Sequence, residues 1–285
     1  MPLSSGIQLI KQAKNTQKFI PCFDVSGGNV DMLHAICEKL AQRGSSAFLS
    51  STPSSIKDYF GFSHFIKIVG GIADKYNVNV APHLDHATSI EDIDKSLSVG
   101  FTSVMFDGSK YDLKNNIQLT RVIVKKAHKR GASVEGELGI IGGKEDEIVS
   151  NLSMFPTLEE ALTFISETNV DFFAPAIGTL HGLYNSKPNI QWSLVKQLSK
   201  VCPIPMVLHG GSGLKSSIIK KLVISGFQKV NYATDIRIAF RFGIQKGLKN
   251  NNHIKPQIYL KAGRDAVGCF IDNILDAAMD KDPRS

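Results

Sequence analysis

The feature that most constrains this chain is a repeated alternation of short apolar segments with longer segments of helical periodicity. Because parallel strands need a crossover connection between them, such alternation predicts βαβ units rather than hairpins. Eight segments are predicted as strands: residues 19–25, 47–50, 78–84, 102–106, 133–137, 171–176, 205–208 and 229–232. Helices are predicted at 31–42, 90–98, 116–129, 158–168, 192–200 and 216–225, with a last helical block from about 256 to 279.

Eight strand–helix repeats within 285 residues predict an α/β fold of the (β/α)8 TIM-barrel type. The competing fold is a doubly wound open sheet. Its dinucleotide signature GxGxxG is missing from the glycine-rich turn after the first strand, Ser26-Gly27-Gly28. No linker, low-complexity tract or charge block divides the chain. We therefore predict one domain spanning residues 1–285.

Composition narrows the class of protein. A hydrophobic content of 42% fits one large core, and no apolar run approaches the roughly 20 residues of a membrane span. The four cysteines have no CxxC spacing, which predicts reduced thiols in a cytoplasmic protein. The net charge of +7 fits a nucleic acid, an anionic lipid or a phosphorylated small molecule. Without aromatic–basic interleaving or an apolar span, we expect neither a nucleic-acid nor a membrane partner.

A His-x-Asp-His cluster follows the apolar part of the third predicted strand. Its residues are His83, Asp85 and His86. On an extended strand His83 and Asp85 point to the same side, and His86 is expected where the strand opens into a loop. A carboxylate beside an imidazole at a strand end suits both metal binding and proton transfer.

Further polar residues lie at the C-terminal ends of the later strands, where the chemistry of such barrels is located. They are Asp107, Glu135, Glu137, His181, His209, Asn231, Thr234 and Asp235. A single histidine there is as readily a buried, hydrogen-bonded side chain. Three together, His86, His181 and His209, favour a zinc-type metal site. Asp107 and Glu137 are candidate ligands of a second metal or partners of the imidazoles, whereas Glu135 suits a structural ion pair.

Two glycine-rich or polar turns predict a phosphate site. Residues 209–213 (HGGSG) precede a predicted helix, and residues 231–235 form a similar turn after the eighth strand. Free backbone N–H groups at helix starts bind anions, and phosphate sites of this fold commonly follow strands seven and eight.

Separately, residues 139–156 form a long polar segment that suits a mobile lid, with Glu145 as a candidate base. The plainer interpretation of that segment is a solvated loop.

Taken together these residues resemble the class II, metal-dependent fructose- and tagatose-bisphosphate aldolases over nearly the whole chain. The specific stretches are residues 80–86 (VAPHLDH), 134–139 (VEGELG) and 142–146 (GGKED), supported by 100–107, 177–184 and 207–213. Thr52-Pro53 is similar to the tagatose-bisphosphate branch. The resemblance implies a lyase that cleaves a ketose phosphate to dihydroxyacetone phosphate and an aldehyde. It also implies a homodimer or homotetramer and needs no Schiff-base lysine.

The resemblance also implies roles for individual residues. His86, His181 and His209 would hold the catalytic Zn²⁺, and Asp107 and Glu137 a second divalent metal. Asp85 would exchange the C4 hydroxyl proton, Glu145 would take the proton from the triose phosphate, and Asn231 would orient the resulting enediolate. The phosphate end and a monovalent cation, Na⁺ or K⁺, would be held by Gly182, Gly210, Ser212, Ala233 and Thr234, beside Asn231.

Two departures from the family pattern concern the rest of the substrate. Asp24 replaces an asparagine after the first strand, and Gln257 replaces an arginine that a neighbouring subunit contributes to the distal phosphate. Glutamine does not reproduce a bidentate guanidinium. We therefore hypothesise a ketose 1-phosphate, or a distal group other than phosphate. The alternatives are a metal-dependent TIM-barrel hydrolase or isomerase acting on a phosphorylated sugar and, last, a non-catalytic partner subunit.

Overall fold

A computed structural model describes residues 3–13, 18–145, 148–150, 153–184, 186–249 and 254–279. Its strands are β1 Ile20–Asp24, β2 Ala47–Ser51, β3 Val80–Ala87, β4 Ser103–Phe106, β5 Ser133–Leu138, β6 Gly142–Glu145, β7 Ile148–Ser150, β8 Phe172–Pro175, β9 Leu180–His181, β10 Met206–Leu208 and β11 Phe227–Tyr232. Its helices are α1 Gly6–Ala13, α2 Val30–Arg43, α3 Pro53–Tyr59, α4 Phe62–Tyr76, α5 Ile90–Val99, α6 Leu113–His128, α7 Leu158–Thr168, α8 Trp192–Val201, α9 Ser216–Ile224, α10 Thr234–Lys249 and α11 Pro256–Met279.

Eight of the strands form a closed parallel barrel in the order β1-β11-β10-β8-β5-β4-β3-β2. All eight predicted strands are present, with ends within a few residues of the predicted ones, so the predicted TIM barrel is confirmed. Seven of these strands are buried along their whole length, as expected for a parallel sheet with helices outside and side chains inside. The outer limits of the predicted domain, residues 1 and 285, stay a prediction.

Two hydrophobic clusters fill the molecule. The larger one lies between the barrel and its helices, and the smaller one lies inside the barrel around Phe48, Phe172 and Val207. Helix α1 closes the N-terminal end of the barrel: its Leu9 is fully buried in the inner cluster, and the Gly6 N–H donates to Ser133 Oγ. Because this end is sealed by packing, the opposite end of the barrel is left to carry the polar side chains.

Helix ends follow local capping chemistry, which explains why most predicted boundaries agree with the observed ones. Thr157 and Glu160 form a reciprocal capping box at the start of α7. Thr52 accepts from the Ser55 N–H at the start of α3, with Pro53 at the first helical position. Helices α1, α3 and α4 were not among the predicted elements, whereas α10 is the helix expected after the turn at residues 231–235. In the described ranges no helix combines the length and the apolar content required to cross a bilayer.

The segment 139–156, interpreted above as a loop or lid, contains regular structure. Strands β6 and β7 form an antiparallel hairpin, and β6 also pairs in parallel with β9 through Gly142↔Leu180 and Gly143↔His181. The expectation of a plain solvated loop is therefore wrong. Sequence periodicity missed the hairpin because its strands have only four and three residues, too few to show an alternation of apolar and polar positions.

Candidate active site

Three histidines from distant parts of the chain meet at the C-terminal end of the barrel. His86 lies in β3, His181 in β9 and His209 directly after β10. Each has a nitrogen atom within 4.8 Å of a nitrogen atom of the other two, and His86 Nε2 lies 3.0 Å from His209 Nδ1. Nitrogen atoms that share one tetrahedral zinc ion lie about 3.3 Å apart, given Zn–N bonds of roughly 2.0–2.1 Å. The distances between the nitrogen atoms of the three imidazoles therefore suit the binding of one shared cation.

His86 reaches this position through a bulge in β3. Leu84 pairs with Val104 and Ala87 with Phe106, so two residues of β3 face only one residue of β4. The backbone of His86 has φ +47°, in the left-handed region. The expectation that His86 follows the end of the strand is therefore wrong. The strand continues to Ala87, and the bulge breaks the alternation, so that the consecutive residues Asp85 and His86 both reach partners at the barrel mouth, Asn231 and His209.

Asp107 and Glu137 lie beside His86 on the side away from His209. Asp107 Oδ2 is 3.3 Å and Glu137 Oε2 is 3.8 Å from His86 Nδ1. Burial opposes ionisation of Asp107, but the contact with His86 and the N–H of Ser109 hold its pKa below the ordinary value. Burial and the charge of Asp107 raise the pKa of Glu137 well above its ordinary value. Two buried carboxyls against one imidazole form a second set of candidate metal ligands.

Asp85 and Asn231 face each other across the barrel mouth. Asn231 Nδ2 donates to Asp85 Oδ2 at 3.3 Å, and His83 Nε2 lies 3.5 Å from the other oxygen of Asp85. Burial opposes the charge of Asp85, but the adjacent His83 imidazole and the neighbouring His86 and Lys229 hold its pKa well below the ordinary value. Asp85 is therefore a carboxylate at neutral pH, which is the form that accepts a proton.

Glu135 is more than the structural ion pair that the sequence indicates. Its Oε1 lies 2.7 Å from His209 Nε2, and its Oε2 lies 2.8 Å from Nζ of Lys229. A carboxylate only accepts, so His209 donates from Nε2, and its Nδ1 is left to bind a cation. Sequence analysis identified neither this contact nor Lys229. Lys229 lies two residues before Asn231 in the same strand, so the alternation of a strand places both side chains on the same side of the sheet. That spacing was the signal in the sequence that could have identified Lys229.

The six residues predicted to bind substrate all line one small cavity beside the histidines. They are Gly182, Gly210, Ser212, Asn231, Ala233 and Thr234, together with His181, His209 and Arg237. Ser212 Oγ accepts from the N–H groups of Ala233 and Asp235 at 3.3 and 3.2 Å, which joins the two predicted phosphate turns at the start of α10. This arrangement suits an anion, because helix N-termini carry partial positive charge.

Arg237 is a cavity residue that the sequence analysis missed. It lies in the first turn of α10, and its Nε donates to Asp24 Oδ1 at 3.0 Å. Asp24 is buried and also accepts from the N–H and hydroxyl of Ser26. The negative charge that Asp24 brings to this position is thus balanced by a guanidinium. The two partners are 213 positions apart in the sequence, so sequence analysis did not detect the pair.

Tight backbone contacts hold the ligand-bearing loops together. The Tyr184 hydroxyl accepts from the Leu180 N–H at 2.9 Å and donates to the Gly210 carbonyl at 2.8 Å. Gly143 has φ +104°, and a Cβ there would lie 2.2 Å from the carbonyl oxygen of His181. The hairpin and the strand that carries His181 therefore approach as closely as a glycine permits.

Two predicted residues are not part of this cluster as the structure describes it: the side chain of Glu145 is not described, and Gln257 lies elsewhere on the surface. Glu145 ends β6, so the hairpin carries it, but its side chain belongs to the part of the chain that the structure does not describe. Gln257 is exposed in the first turn of α11. The structure therefore brings together the other predicted residues but does not test the position of the Glu145 carboxyl.

The donor set fits a divalent cation of zinc type. Three neutral imidazoles with an open side toward a cavity are the ligands of a catalytic zinc site. Three buried oxygens of the site, Asp85 Oδ1, Glu137 Oε2 and Asn231 Oδ1, accept no hydrogen bond from the described residues. Buried polar atoms are normally paired, so these oxygens are available to a metal ion or to a substrate. The site can bind a metal, hold an anion and move a proton.

Comparisons with known proteins agree with this chemistry. The sequence model of the family described as fructose-bisphosphate aldolase class-II matches residues 4–282. Fructose-bisphosphate aldolase of Geobacillus stearothermophilus is 32% identical over 270 residues, which cover 94% of this chain and 93% of that protein. The Staphylococcus epidermidis enzyme of the same name is 31% identical, with 94% of each chain covered.

Solved structures of similar fold also carry the name aldolase. The crystal structure of the YdjI aldolase from Escherichia coli K12 has a TM-score of 0.83 and 25% sequence identity, covering 99% of each chain. Fructose-bisphosphate aldolase from Campylobacter jejuni has a TM-score of 0.82 and 24% identity, covering 98% of this chain and 97% of that one.

Proposed function

This chain belongs to the class II fructose-bisphosphate aldolase family, and we propose that it carries out its lyase reaction with a zinc ion held by His86, His181 and His209. As an aldolase of this family it cleaves a phosphorylated sugar to dihydroxyacetone phosphate and an aldehyde. The metal dependence follows from the family, and the choice of zinc is our proposal. A place closer to the tagatose-bisphosphate branch stays a prediction.

One observation carries the proposal. Three imidazoles converge within 4.8 Å at the mouth of the barrel, and the cavity beside them is lined by the two turns predicted to bind phosphate. A bound divalent cation supplies Lewis-acid stabilisation of the negative charge that develops on the substrate oxygens. Asp107 and Glu137 are proposed to hold a second divalent metal, and the phosphate turns a monovalent cation.

The chain's own groups supply the proton transfers. In the cleavage direction Asp85 accepts the proton of the C4 hydroxyl, and the electron pair of the C3–C4 bond stays with the three-carbon phosphate fragment. Glu145, carried by the hairpin, returns a proton to C3. Asn231, which donates to Asp85 at 3.3 Å, orients the three-carbon fragment through its remaining amide groups. A positioned acid or base of this kind contributes roughly 10²–10⁴-fold to the rate.

A metal-dependent hydrolase or isomerase is the less favoured function. The family model and the relatives are those of aldolases. A non-catalytic subunit is also disfavoured, since all three imidazoles converge in the described residues.

The distal end of the substrate is proposed to differ from that of a bisphosphate. Gln257 lacks the charge of an arginine, and the guanidinium of Arg237 is already engaged by Asp24. We therefore keep the hypothesis that the preferred substrate is a ketose 1-phosphate or bears a distal group other than phosphate. A retro-aldol screen across ketose 1-phosphates and 1,6-bisphosphates, with the product aldehydes identified, tests it. Far faster cleavage of the bisphosphates would rule it out.

The metal requirement is tested by chelation. Treatment with EDTA should abolish release of dihydroxyacetone phosphate, and added Zn²⁺ should restore it. The His209→Ala variant should not recover under the same treatment, because one of the three ligands is missing. Full activity after complete removal of zinc would contradict the proposal.

Assembly and compartment are further proposals. A homodimer or homotetramer is supported by apolar side chains exposed on α10, Phe242 and Leu248, and sedimentation of the full chain tests it. The cytoplasmic location rests on the four free cysteines, none of which is paired.

A further inference from the structure

Lys229 is a charged residue in the interior of the barrel that the proposed reaction does not use. It lies in β11, and it is fully buried at 0% exposure. A buried ammonium is costly unless partners surround it. Lys229 has partners on three other strands: Nζ is 2.8 Å from Glu135 Oε2, 3.4 Å from His83 Nε2 and 5.3 Å from the centre of the Phe48 ring.

The contact with Glu135 continues to the proposed metal site. The second oxygen of Glu135 accepts from His209 Nε2 at 2.7 Å, and His209 Nδ1 faces His86 Nε2 at 3.0 Å. A neutral imidazole carries one proton, so the acceptor on Nε2 fixes which nitrogen is free to bind a metal. Two short contacts therefore connect the Lys229 ammonium to the metal-facing nitrogen of His209.

We propose that Lys229 is a positioning residue, whose ammonium holds the Glu135 carboxylate in the orientation that keeps His209 Nδ1 directed at the metal. The proposal rests on the metal site of the proposed function. Rotation of the Glu135 side chain is limited because each of its oxygens has a cationic or N–H donor. Loss of Lys229 removes one of the two anchors and leaves the carboxylate buried without a counter-charge.

Lys229 is not a Schiff-base nucleophile in this fold. Its Nζ is enclosed by Glu135, His83 and Phe48 and has no exposed surface. Burial lowers the pKa of Lys229, but the charges of Glu135 and Asp85 outweigh burial and hold the pKa above its ordinary value. A charged amine without access to substrate does not attack a carbonyl group.

The competing explanation is that Lys229 only contributes to packing and charge balance in the core. The two explanations differ in what happens to the metal. A positioning residue changes metal affinity and ligand geometry, and outer partners of metal ligands typically contribute 10–100-fold to affinity. A residue with a purely structural role changes the unfolding temperature without changing the ligand field.

The experiment compares the full-length wild type with Lys229→Met, Lys229→Met/Glu135→Gln and Leu9→Ala. The measurements are the zinc Kd by competition with a chromophoric chelator, the absorption spectrum of the Co²⁺-loaded protein, and Tm. We expect Lys229→Met to raise the zinc Kd about 10–100-fold and to change the Co²⁺ spectrum. The double variant removes the uncompensated charge but does not restore the anchor, so its zinc Kd should stay raised.

Leu9→Ala is the matched control. It removes packing from the inner cluster at the N-terminal end of the barrel, on α1 rather than on a strand that carries or pairs with Lys229 or Glu135, so it should lower Tm and leave the zinc Kd and the Co²⁺ spectrum unchanged. A wild-type zinc Kd and spectrum in Lys229→Met, or a double variant that regains the wild-type zinc Kd, would overturn the positioning role.

A second variant covers the case in which Lys229→Met does not fold. Lys229→Gln has no charge, and its side chain is one atom shorter, so its amide does not reach Glu135 as the ammonium does; we expect a several-fold rise in zinc Kd with an altered Co²⁺ spectrum. Unchanged values for this variant would also overturn the inference. If the wild type itself binds no zinc at the histidines, the proposed function fails first and the role of Lys229 fails with it.

Discussion

Asp85 shows how one residue acquires a chemical role from its surroundings. Its carboxyl is 4% exposed, which by itself favours the neutral acid, yet His83 and His86 hold its pKa below the ordinary value. A buried carboxylate that faces Asn231 and borders the proposed metal ligands suits the proposed role of a base. The same residue type on the exposed face of α3, Asp58, has no such role.

Replacing Asp85 with asparagine tests this base. Asparagine has nearly the same shape but does not take up a proton, so kcat for cleavage should fall about 10²–10⁴-fold. Zinc content and Tm should stay close to wild type, since Asp85 is not among the three imidazole ligands. Steady-state release of dihydroxyacetone phosphate provides the measurement. Asp58→Asn is the control, and a kcat within tenfold of wild type would argue against the role of Asp85.

The cysteines give a residue-scale prediction about pH. Burial raises the pKa of both Cys22 and Cys37 to about 12, so at pH 8 each is a neutral thiol in the folded protein. Only the thiolate reacts readily with disulfide reagents. In the native protein Cys269, which is exposed, should label first, and Cys22 and Cys37 should label only after unfolding. Peptide mapping after timed labelling distinguishes these sites, and rapid native labelling of Cys22 would contradict the buried position.

At the scale of elements, the hairpin β6–β7 and the short strand β9 act as one unit. Gly143 pairs with His181, and the Tyr184 hydroxyl connects β9 to the loop after β10. Two of the three proposed ligands, His181 and His209, therefore lie in segments that contact one another directly. The position of the hairpin is coupled to the metal site by backbone contacts rather than by side-chain packing alone.

Gly143→Ala tests this coupling. A Cβ at this position would lie 2.2 Å from the His181 carbonyl oxygen, so the hairpin must move away from β9. We expect weaker zinc binding by roughly tenfold and a lower kcat. Gly61→Ala is the matched control, since Gly61 also has positive φ, at +76°, but its Cβ would meet no atom within 4 Å. Equal zinc affinities in the two variants would show that the contact with His181 does not matter.

At the scale of the whole molecule, metal binding and folding are linked. The three imidazoles come from β3, β9 and the end of β10, so they converge only when the barrel is closed. A ligand that binds only the folded state stabilises it by about 2.7 kcal/mol at a concentration 100 times its Kd. The barrel therefore determines the metal site, and the metal in turn should stabilise the barrel.

Thermal unfolding with and without Zn²⁺ checks this linkage. Zinc should raise the Tm of the wild-type protein by several degrees, in proportion to the stabilisation above. His181→Ala and His209→Ala should show little or no zinc-dependent rise, because each lacks one ligand. An equal rise in these variants would mean that zinc binds elsewhere on the protein.

The sequence alone determined the eight strands of the barrel and the end at which the polar residues gather. Both depend on local information: apolar runs between helical repeats specify buried parallel strands, and the polar residue that follows each run marks its C-terminal end. For this reason His86, His181, His209 and the residues of the phosphate turns were predicted from the chain, and the structure brings them together.

Only the tertiary structure decided which of these residues touch. Glu135 and Lys229 are 94 positions apart, and Asp24 and Arg237 are 213 positions apart. Neither pair leaves a local pattern, because its members belong to different strands or to a strand and a distant helix. Closure of the barrel sets which side chains face each other across the interior. The bulge at His86 likewise depends on pairing with β4, so the orientation of that ligand is a property of the folded sheet.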